Sequence, residues 1–158
     1  MGAPRADDRV EAQRRFLTGL GRGDDPDRLL TDLADLHIRN NTFPGEVFMH
    51  IAVDALDRAG VDRQHPVDHS ELLSTHLAEV EMRGKQQRRI QYCVLATFAV
   101  HGGLDVDLLD EVTYGIDQYW QYALLAAIAI VRACAARSEL TVDSFVNELA
   151  VDYRITIT

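Results

Sequence analysis

Between Tyr119 and Ala136 only Gln121 and Arg132 are strongly polar, so a helix built from this stretch is apolar on every side. Such a helix finds no wet face to present and must be enclosed by other elements. Its uninterrupted apolar part, Ala123 to Val131, falls well short of the ~20 residues that span a bilayer. A buried helix inside a protein is the remaining solution. The many alanines let neighbouring backbones approach closely, which makes this stretch the expected spine of the fold.

The rest of the chain carries helical signals that would surround such a spine. Apolar residues recur every three or four positions in seven to eight segments, and few segments compete as strands. The first helix, about Asp8 to Leu20, bears Val10, Phe16, Leu17 and Leu20 on a narrow stripe, breaks at Gly21-Arg22-Gly23, and reads as peripheral. Asp25-Pro26 is a strong helix start, because the carboxylate caps free amides and proline has none to leave unpaired. Leu29, Leu30, Leu33 and Leu36 follow on one face, and Asn40-Asn41 closes the helix. After Pro44 comes the cleanest amphipathic stripe of the chain, Phe48, Ile51, Ala52, Ala55, Leu56 and Ala59, ending at Gly60.

A loop over 61–67 precedes Asp68 and Glu71, which stand at capping-box spacing before Leu72, Leu73, His76, Leu77 and Val80. Beyond Gly84, the segment from Ile90 to His101 is apolar on most sides, so it is expected to be central, and Gly102-Gly103 stops it. Asp105 opens a short helix with Leu108, Leu109 and Val112, Asp117 opens the spine, and Thr141 caps a last helix with Val142, Phe145, Val146, Leu149, Ala150 and Tyr153 on one stripe. The expected fold is therefore all-α: one domain over 1–158, seven to eight helices in a multi-helical bundle of antiparallel hairpins, with 1–7 and 154–158 as flexible tails. Hairpin starts near Pro26, His69 and Asp105 recur roughly every forty residues, which keeps a short HEAT-like stack open as the alternative.

Composition narrows the function. Hydrophobic content of 47% with 26% charged residues is that of a globular chain with a real core. A net charge of −9 repels phosphate backbones and anionic lipid, so neither nucleic acid nor membrane is an expected partner. Arg83, Lys85, Arg88 and Arg89 form a basic cluster, but the last helix carries Asp143 and Glu148 where a DNA-reading helix carries cations. The opening residues lack the apolar run of a secretory signal, which points to the cytoplasm. Cys93 and Cys134 sit inside apolar helical stretches and read as small buried hydrophobes rather than a disulfide.

Two sets of residues are candidates for function. His50 and Asp54, one turn apart, together with His69, His76 and Glu79 on the following helix, place imidazoles and carboxylates where two facing helices could hold a divalent transition metal. Against that, the Glu-x-x-His pair of helical di-metal sites is missing, and a histidine on an apolar stripe is more often hydrogen-bonded in a core. Tyr114, Tyr119, Trp120 and Tyr122 crowd the start of the spine. Facing outward they would form an interaction surface for a protein partner or a second copy; their place beside Ile116 and an apolar stripe favours burial.

Asp68-His69-Ser70 resembles catalytic vocabulary, but neighbours at a helix start point in different directions and cannot relay a proton. No nucleophile elbow, phosphate-cradling glycine loop or dinucleotide fingerprint is present in the sequence. The expectation is a non-enzymatic module without a cofactor, acting through protein–protein contact, with the metal site as the alternative.

Overall fold

The computed structural model describes residues 6–40, 46–62, 85–103 and 119–154, with side chains placed for 9–36, 47–62, 89–103 and 120–154. Among these residues there are six helices and no strands, so the fold is all-α as expected. In chain order they are α1 (Ala6–Arg22), α2 (Pro26–Asn40), α3 (Glu46–Arg58), α4 (Lys85–His101), α5 (Tyr119–Arg137) and α6 (Val142–Asp152). The helices expected after Asp68 and after Asp105 lie outside the described residues.

Local chemistry accounts for the boundaries. The Arg28 amide donates to Asp25 Oδ1 at 2.8 Å, and Pro26 is the first residue of α2. Thr141, extended at φ −67° and ψ 156°, accepts from the Ser144 amide at 3.1 Å and starts α6. Helices α1 and α3 stop through the same C-terminal turn: the amides of Asp24 and Val61 reach back to the carbonyls of Gly19 and Leu56, across Gly23 (φ 79°) and Gly60 (φ 70°). Helix α5 closes in this way too, with Leu140 bonded to the Ala135 carbonyl. There Glu139 occupies the left-handed position at φ 57°, without the freedom a glycine has.

Helix α5 is the spine. Every side chain from Tyr122 to Val131 is buried, as are Ala133, Cys134 and Ala135, and the helix packs against α2, α3, α4 and α6. One hydrophobic cluster draws residues from all six helices. Helix α1 belongs to it fully. Ala12, Phe16, Leu17 and Leu20 are buried, Phe16 packs on Phe48 with ring centroids 5.4 Å apart, and the helix touches α2, α3 and α6. The narrow stripe that reads as peripheral in sequence is sufficient to insert the helix, although Val10 is left exposed.

Helices α1 and α2 form an antiparallel hairpin, with Gly19 against Leu29 and Arg15 reaching Asp32 and Asp35. Helices α3, α4 and α5 instead run the same way. Arg89 near the start of α4 meets Tyr122 near the start of α5, while His101 meets Asp57 and Arg137 meets Ala59 where the three helices end. Each of these ends carries a base in its last turn, Arg58, His101 or Arg137, opposing the partial negative charge of the terminal carbonyls. The first and last helices, α1 and α6, also pack on one another, a contact absent from an open stack in which each pair meets only its neighbours.

Candidate interaction surface

The described part of the proposed metal site consists of His50 and Asp54 on α3, both exposed. The Tyr153 hydroxyl donates to Asp54 Oδ2, which ties that carboxylate to the C-terminal end of α6. Burial, and then the bond to Asp54, hold the Tyr153 hydroxyl well above its usual pKa. His69, His76 and Glu79 lie outside the described residues. Among the described residues no group of three or more His, Cys, Asp or Glu side chains is placed to hold a metal ion.

Around Asp54 the structure builds a polar seam between α3 and α6. Arg58 donates to Asp152 at 2.6 Å and to Glu148 at 3.4 Å, and hydrogen bonding to Asp152 raises its pKa further. Beside it His101, with no exposed side-chain surface, sits 3.1 Å from Asp57 Oδ1. The seam ties the end of α3 to α6 through Arg58 and Asp54, and to the end of α4 through Asp57 and His101. Its geometry is that of a fastening between elements.

The aromatic candidates divide. Trp120 and Tyr122 are 3% and 5% exposed and belong to the main core, and the Tyr122 ring lies 5.4 Å from the Arg89 guanidinium carbon. Those two rings are thus the aromatic end of the core and offer no surface to a partner. The side chain of Tyr119 and the whole of Tyr114 lie outside the described residues. The surface proposed from these four aromatics is not built from the two that are placed.

A groove of about 360 Å³ runs between α1 and α2, lined by Glu11, Arg14, Arg15, Thr18, Arg22 and Asp32. Its guanidinium groups already have acids: Arg14 and Arg15 bond to Glu11, Arg15 also to Asp35 at 3.2 Å, and Arg22 to Asp24 at 2.8 Å. The groove is a charge network that joins two helices, with its cations committed to the chain's own carboxylates.

The remaining feature is an apolar face that points outward. Helix α4 carries two stripes. Ile90, Cys93, Val94, Thr97 and His101 are buried, and half-buried Phe98 packs against the same core; on the opposite side Leu95 is 66% exposed, Ala99 and, just past the helix end, Gly102 are exposed, and Tyr92 is half-buried. The outer positions Tyr92, Leu95 and Ala99 follow three-four spacing, the pattern of a seam between packed helices, and Gly102 lies in the turn just after the helix. Helix α4 is therefore less central than its apolar sequence indicates. The spacing of this second stripe is visible in the sequence, but a segment apolar on most sides reads as core and hides it.

No protein-family model matches the chain, and no curated protein or solved structure matches it. Among the described residues no helix is long and apolar enough to cross a membrane.

Proposed function

We propose that the chain is a protein-binding helical module whose docking surface is the outer face of α4. The observation that carries this reading is the two-sided character of that helix: one apolar stripe fills the core while a second, centred on Leu95, is turned to water. An isolated exposed leucine is ordinary on a protein surface; here Leu95 stands between half-buried Tyr92 and exposed Ala99 at helix-packing spacing, which fits a groove or another helix. Small residues at one end of the stripe admit a partner backbone, and the larger ones at the other end supply area.

Leu95→Glu tests the reading in the dilute chain. A docking face left open in the monomer tolerates the charge, so the expected change in stability by thermal or denaturant melting stays within ~0.5 kcal/mol. A loss of several kcal/mol would mean that the chain covers Leu95 itself, and would overturn the proposal.

A further inference from the structure

We draw no further inference here: the strongest candidate, the water-facing stripe of α4 at Tyr92, Leu95 and Ala99, belongs to the docking surface already proposed, and nothing in the structure shows what covers it.

Discussion

Gly19 and Gly21 are two residues apart on α1, yet they meet different surroundings. A Cβ on Gly19 would come within 2.4 Å of Leu29 Cδ2 and 3.2 Å of Asp24 Oδ2, and both neighbours are buried between α1 and α2. A Cβ on Gly21 would stand 3.1 Å from Asp143 Oδ1, at the end of an exposed side chain that can swing into water. Replacing a helical glycine with alanine gains ~1 kcal/mol of backbone preference, while forcing an extra carbon into a packed site costs ~1–3 kcal/mol. Gly21→Ala is therefore expected to raise the melting temperature slightly and Gly19→Ala to lower it. Equal effects of the two substitutions would show that α1 and α2 sit less closely than described.

Among elements, the α1–α2 hairpin is fastened at its rim by Arg15, which bonds to Glu11 at 2.8 Å on its own helix and to the Asp32 carbonyl at 2.9 Å on the next. Burial pushes the Glu11 carboxyl up, but hydrogen bonds and charge from Arg14 and Arg15 outweigh it and hold the pKa below the ordinary 4.5. A carboxylate whose folded pKa is depressed contributes stability that is fully present above 4.5 and is lost as pH falls through the lower folded value. Glu11→Gln is expected to cost less than ~1 kcal/mol at neutral pH, since the group is partly exposed, and the gap to the parent is expected to close on acidification. Urea melts at neutral and acid pH check this; a gap that persists at low pH would assign the loss to packing rather than charge.

Elements were also where the sequence was most legible. Asp25-Pro26, Gly60, Gly102-Gly103 and Thr141 mark helix ends because caps and left-handed turns are set by neighbours in the chain. The Asp54–Tyr153 bond was not legible, because it joins residues 99 positions apart and no local spacing encodes it. The spacing marks Asp54 as a candidate ligand but carries no sign of the Tyr153 hydroxyl that engages it. Nor did the sequence show that α3, α4 and α5 run the same way, a relation fixed by packing rather than by any one helix.

For the molecule as a whole, the decisive contrast is between two helices that look alike in sequence. Both α4 and α5 are apolar around most of their circumference, but α5 spends its apolar surface inward while α4 keeps part of it outside. Ile128, fully buried at the middle of α5 and part of the cluster that joins all six helices, measures the first case. Aspartate there must either hold a charge in an apolar interior or bind a proton to lose it, and either route costs several kcal/mol, comparable to the 5–15 kcal/mol that keeps a typical domain folded. Ile128→Asp is accordingly expected to abolish a cooperative melt or lower its midpoint steeply, whereas Ile128→Val, which removes one methyl group, is expected to cost only ~0.5–1.5 kcal/mol. Set beside Leu95→Glu, the comparison separates a buried spine position from a water-facing one by melting alone. Near-parental melting of Ile128→Asp would displace α5 from the centre of the fold, and with it the inward and outward sides assigned to α4.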